Sequence, residues 1–179
     1  MSGLGSRLLL PVLVALFALV GATSTAGGAT APQARVATSF EASVLGEINA
    51  LRARHQLAPL RMNDRLAAAA GAHSQAMARQ GFFRHESADG SSFWKRVQRF
   101  YGSRGYGYWS VGENLLWSSP SIDAAGALSM WLKSPPHRKN LLSPQWREIG
   151  LSAVHVASAP GTFNGLEVTI VTADFGVRR

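Results

Sequence analysis

Beyond residue 37 the apolar positions recur at helical spacing. Phe40, Val44, Ile48 and Leu51 follow one another every three or four residues, the period of one helix face. Thr38 and Glu41 precede them at capping-box spacing, which predicts a first helix over 39–55. Leu66, Ala70, His73 and Met77 repeat the pattern. Asn63 suits the N-cap of that second helix, and Gly81 suits the left-handed position just past its end. A short third helix is predicted over Phe93 to Tyr101. A fourth is expected with Ser121 as its cap and Asp123 in its first turn, where negative charge suits the dipole. Ala124, Leu128 and Trp131 form its inner face, and Pro135–Pro136 ends it. Ser134 can cap a further short helix that has Pro135 at its first position.

The second half also carries strand patterns. Tyr106 to Trp117 is rich in aromatics, Ile149, Leu151, Ala153 and His155 follow a period of two, and Leu166 to Phe175 is a dense β-branched run. Ala159-Pro160-Gly161 and Asn164-Gly165 lie between the last two, which predicts an antiparallel hairpin with a long loop. Helices followed by antiparallel strands point to an α+β layered domain.

The N-terminus reads differently. Arg7 precedes a 13-residue apolar run, Leu8 to Val20, too short to span a bilayer, which takes about 20 residues. Small residues follow, so residues 1–26 read as a secretory signal cleaved after Ala22 or Ala26. A linker over 27–37 and a working domain over 38–178 complete the predicted organisation. The expected location is secreted or periplasmic, with no stable membrane insertion after cleavage.

Composition removes several chemistries. The 179 residues contain no cysteine, so a disulfide scaffold, a thiolate metal site and a cysteine nucleophile are excluded. The net charge is +8, but the basic residues are scattered. Their nearest approach to a cluster is Lys95, Arg96 and Arg99 among Phe93, Trp94, Phe100 and Tyr101. No nucleic-acid module is recognisable; the charge reads first as an ordinary solvated basic surface, and an anionic envelope surface or a polyanion is a better match for it than nucleic acid.

Five histidines are present. His73 is expected in the core, His55 at the surface and His155 in a structural role. His85 lies in a polar loop after the second helix, where functional residues concentrate. His137 falls in the first turn after Ser134-Pro135-Pro136, where the dipole favours the neutral, ligand-competent ring. Glu113, in Gly112-Glu113-Asn114, is the third candidate. By residue type the three form a possible His–Glu–His site, and each also has an ordinary structural explanation.

Several phrases together narrow the choice. They are Leu-Arg-Ala-Arg-His (51–55), Pro-Leu-Arg-Met-Asn-Asp-Arg-Leu-Ala (59–67), His-Ser-Gln-Ala-Met-Ala (73–78) and Gly-Phe-Phe-Arg-His (81–85). Val-Gly-Glu-Asn-Leu (111–115), Trp-Leu-Lys-Ser-Pro-Pro-His-Arg-Lys-Asn-Leu-Leu (131–142), Glu-Ile-Gly-Leu (148–151) and Ala-Asp-Phe-Gly (173–176) follow. In this order they resemble the CAP superfamily of cysteine-rich secretory, antigen 5 and pathogenesis-related 1 proteins, in a cysteine-free bacterial form.

The resemblance implies a three-layer α–β–α sandwich with a mainly antiparallel sheet and a cleft holding two histidines and two acids. His85, Glu113 and His137 match three of the four. The second acid, expected just after Trp131, is missing, and Ser134 stands nearest its place. The cleft residues are thus His85, Glu113, His137 and Ser134, with no catalytic residue assigned. Zinc or another divalent metal, weakly bound, is expected at His85 and His137, with Glu113 either coordinating or accepting a hydrogen bond behind a ligand. The partner expected is a small hydrophobic ligand or an envelope component, for a monomer or weak dimer. The leading function is a secreted binding module for a lipid, glycan or peptide. The alternative is a metal-assisted hydrolase acting on peptides or envelope polymers.

Overall fold

The computed structural model describes residues 38–179; the predicted signal segment 1–26 and the predicted linker 27–37 lie outside the described residues. Helix α1 runs over Ser39–Arg54 and opens with the full capping box. The Thr38 backbone N–H donates to Glu41, and the Glu41 N–H donates to the Thr38 hydroxyl. Glu41 also accepts from the Ala153 N–H, so the cap fastens the helix to the sheet. Helix α2 (Asp64–Gln80) starts at Asn63 and stops at Gly81, which has φ 68°. Helix α3 covers Phe93–Phe100.

Helix α4 (Ala124–Lys133) corrects one expectation. Its N-cap is Asp123, whose side chain accepts from the Gly126 N–H, rather than Ser121. Aspartate and serine cap comparably well, and only the first turn of the helix decides between them. Helix α5 (Pro135–Leu141) begins at Ser134 with proline at its first position, but the Ser134 side chain makes no capping bond.

The described strands form one sheet in the order β1 (Arg61–Met62), β3 (Glu148–Val156), β4 (Val168–Arg178), β2 (Trp109–Ser118). Strand β4 pairs antiparallel with β3, as the hairpin pattern predicts, and also with β2 on its other side. The two-residue β1, parallel to β3, is too short to leave a periodic signal.

Burial follows the alternation of side chains along a strand. Val171, Ala173, Phe175 and Val177 pack with residues of α1, α4 and α5, including Val44, Leu128, Trp131 and Leu141. Val168 and Ile170 pack against Met77 and Ala78 of α2 on the opposite face. The described residues therefore form a three-layer α–β–α sandwich with β4 buried on both faces. Strand β2 lies at the sheet's edge, and there the two helical layers can reach each other.

Candidate functional site

The site is built around Gly112-Glu113-Asn114 on β2, and each residue has a separate task. A Cβ on Gly112 would lie 2.9 Å from Trp146 and 3.2 Å from Asn140, so glycine lets this region pack close. Asn114 faces the α5 layer, and its amide donates to the His137 carbonyl at 3.0 Å. Asn140 donates to the Asn114 side chain and to the Glu113 carbonyl. Buried Arg52 donates to the carbonyls of Leu141 and Ser143 at the far end of α5. The helix carrying His137 is thus pinned at both ends.

Glu113 points to the α2–α3 layer and is 5% exposed. Its two oxygens are both engaged. The His85 Nδ1–H donates to Oε1 at 2.8 Å, a direction fixed because an ionised carboxylate can only accept. Arg96 of α3 donates to Oε2 and forms a buried ion pair with it. The loop carrying His85 is held from two directions. His73 Nε2–H donates to the Arg84 carbonyl at 2.9 Å, and Arg96 donates to the His85 carbonyl. The His85 and His137 rings lie 6.5 Å apart between centroids, tilted by 60°.

Two residues that sequence reasoning missed complete the site. One is Arg96. The other is Asp174, the direct cross-strand partner of Glu113 on β4 and fully buried. Neither Asp174 oxygen receives a hydrogen bond from an N–H or O–H donor. Burial, and then the neighbouring Glu113 charge, push the Asp174 carboxyl well above its ordinary range, which favours the protonated acid. A second carboxyl is therefore present, supplied by Ala-Asp-Phe-Gly on the central strand instead of the helix after Trp131. An aspartate inside a β-branched run was the available signal, because an unpaired charge in such a strand is costly.

The two cleft histidines are pushed apart. The hydrogen bond to Glu113 raises His85 above its ordinary value. Burial, and then the His85 charge, lower His137. Ser134 and His137 line one groove of about 250 Å³ with Phe83, Leu115, Trp117 and Met130. His85 and Glu113 do not line this groove; they are bonded to each other, and the His85 ring lies beside that of His137. His55 is exposed at the end of α1, and His155 is exposed beside Glu167, at 3.2 Å.

His73 is 1% exposed, as its helix face predicts. Burial lowers its pKa to about 4, from an ordinary 6.5. The unfolded chain then takes up a proton that the folded one refuses. Stability from neutral His73 is complete above pH 6.5 and is lost as pH falls towards 4. The loss is about 3 kcal/mol, and the difference in unfolding free energy between wild type and His73→Gln across that window measures it. A parallel pH dependence in the two proteins would refute it.

The family model for cysteine-rich secretory proteins, CAP, matches residues 45–175. The chain belongs to the CAP family. The Bacillus subtilis (strain 168) protein YkwD is 29% identical over 143 residues, covering 76% of this chain and 53% of YkwD. The membrane protein YlbC of the same organism is 28% identical over 117 residues, 65% of this chain and 32% of YlbC. This CAP chain thus spans about half and a third of those relatives. Among solved structures, an extracellular SCP-domain protein from Bacillus anthracis str. Ames superposes with a TM-score of 0.58 at 29% identity, over 77% of this chain and 40% of that one. An outer surface protein of Borrelia burgdorferi gives the same TM-score at 22% identity, over 76% and 90%, and that likeness shows the fold alone.

Proposed function

We propose that this CAP domain is a secreted binding module whose cleft, at the edge of β2, holds a small amphiphilic ligand. The groove supports this most. Much of its wall, with Phe83, Leu115, Trp117 and Met130, is apolar, and His137 and Ser134 add polar groups to it. A few polar groups in an apolar concavity is the usual make-up of a small-ligand site. His85, exposed over about half its side chain, places a further polar group beside His137. Secretion is supported by the apolar run Leu8–Val20 with the small residues after it, and by the extracellular SCP-domain relative.

A divalent metal fits this donor set only in part. Both Glu113 oxygens are engaged, and among the described residues no three His, Asp or Glu side chains gather as a metal-holding group. His85 Nε2 and His137 would hold the ion, and Glu113 would orient His85 through Nδ1. When bound, a divalent ion would supply Lewis acidity to a ligand's polar end.

Lipid extraction and mass spectrometry of the purified protein test the binding role. A small amphiphile should co-purify with wild type and be lost from Ser134→Phe, which fills the groove from its edge while the domain still folds. Equal recovery from both proteins would overturn the assignment. One observation favours the hydrolase alternative: Ser134 lines the same groove as His137 and its hydroxyl caps nothing. That reading requires turnover of peptide or envelope polymer by wild type, abolished by Glu113→Gln.

A further inference from the structure

We infer that the outer face of α3, with the 101–108 segment and the end of β4, docks on an anionic phospholipid surface. The observation is a local charge asymmetry joined to exposed aromatics. Residues 90–112 contain Lys95, Arg96, Arg99 and Arg104 and no aspartate or glutamate. Arg96 turns inward to Glu113, whereas Lys95, Arg99 and Arg104 are exposed. Trp94 is 41% exposed, Tyr106 44% and Tyr108 40%. Elsewhere, large apolar side chains of the described residues are exposed only singly, as Met130 and Leu166.

Local contacts order these groups. The Lys95 ammonium lies 5.6 Å from the Trp94 ring. Gln98 of α3 donates to the Ser103 hydroxyl, which ties the helix to the following segment. The Arg178 guanidinium stacks 4.8 Å from the Tyr106 ring and donates to the Gly102 carbonyl. Arg179 lies 4.8 Å from the Tyr108 ring. Two acids border the patch: Asp89, exposed beside Arg99, and Glu148, which accepts from the Tyr101 hydroxyl.

The chemistry selects the occupant. Tryptophan and tyrosine settle at the level of lipid headgroups, with the ring body in the apolar margin and the polar edge in water. Interspersed lysine and arginine add attraction to anionic lipid that falls off within a Debye length. A soluble polyanion would use the charges but gain little from the aromatics. Because Arg96 lies on the same helix, the patch flanks the cleft: Phe93 sits 6.4 Å from the His85 ring.

The full chain should be titrated with vesicles of phosphatidylcholine alone and with an equimolar mixture of phosphatidylcholine and phosphatidylglycerol, and with inorganic polyphosphate. Residues 1–37 are common to every variant, so differences between variants report this face. Wild type should bind the phosphatidylglycerol vesicles the more tightly. Lys95→Gln/Arg99→Gln should weaken that binding roughly twenty- to thirtyfold. Trp94→Ser/Tyr108→Ser should weaken vesicle binding severalfold while leaving polyphosphate binding unchanged. All four replaced side chains are at the surface, and circular dichroism should show an unchanged fold. Equal binding to both vesicle types, wild-type affinity in the charge variant, or tight binding of polyphosphate without vesicles would each overturn the inference.

Discussion

Arg96→Met should cost about 3–5 kcal/mol of stability, the usual result of removing one partner from a buried ion pair. Glu113 would be left buried beside Asp174, with His85 as its remaining partner. The penalty arises from the stranded carboxylate more than from the lost attraction. Arg96→Met/Glu113→Gln should therefore be much more stable than Arg96→Met alone, because the substitutions act on one contact. Chemical denaturation of the three proteins measures both effects. A single variant within about 1 kcal/mol of wild type would show that the pair is not what holds this part of the site.

Gly150→Ala should be at least as damaging, for a different reason. Gly150 sits on β3 opposite Asp174, where the first turn of α2 crosses the sheet. A Cβ there would lie 2.0 Å from the Leu66 carbonyl carbon and 2.1 Å from the Ala67 nitrogen. Both are backbone atoms of a capped helix and cannot rotate away, so α2 itself has to lift. The expected loss is about 3 kcal/mol or more. Gly176→Ala is the control. Its Cβ would meet the ends of the Leu66 and Tyr101 side chains at 2.9 Å, which can adjust, and the loss should be smaller. Equal losses for the two variants would refute the close-approach explanation.

Much of this arrangement is legible in the sequence because it rests on local signals. Thr38 with Glu41, Asn63 and Gly81 mark helix ends through bonds within a few residues of themselves. The period of two in β3 follows from burying one face more than the other, and the dense β-branched run of β4 follows from burial on both faces. His85, Glu113, His137 and Ser134 are legible as ordered phrases, and the edge strand β2 brings them together. What escapes is mostly long-range. Asp174 gains its meaning only from the register that sets it opposite Glu113. Arg96 looks like one more basic residue on α3 until the helix packs and buries it. The choice of Asp123 over Ser121 as a cap escapes for a local reason, because the two residue types cap comparably well and only the first turn of α4 decides between them.

The unit formed by His85, Glu113 and His137 is tested most directly by following the imidazole proton resonances against pH. In wild type His85 should titrate above 6.5 and His137 below it, in line with the Glu113 hydrogen bond and with burial. Glu113→Gln should bring His85 down, because the raising interaction is removed while its burial stays. His85→Ala should let His137 rise, because the neighbouring positive charge is gone. If both rings titrate at about 6.5 and neither responds to loss of its neighbour, they are independent surface histidines, and the edge of β2 carries no joint cleft.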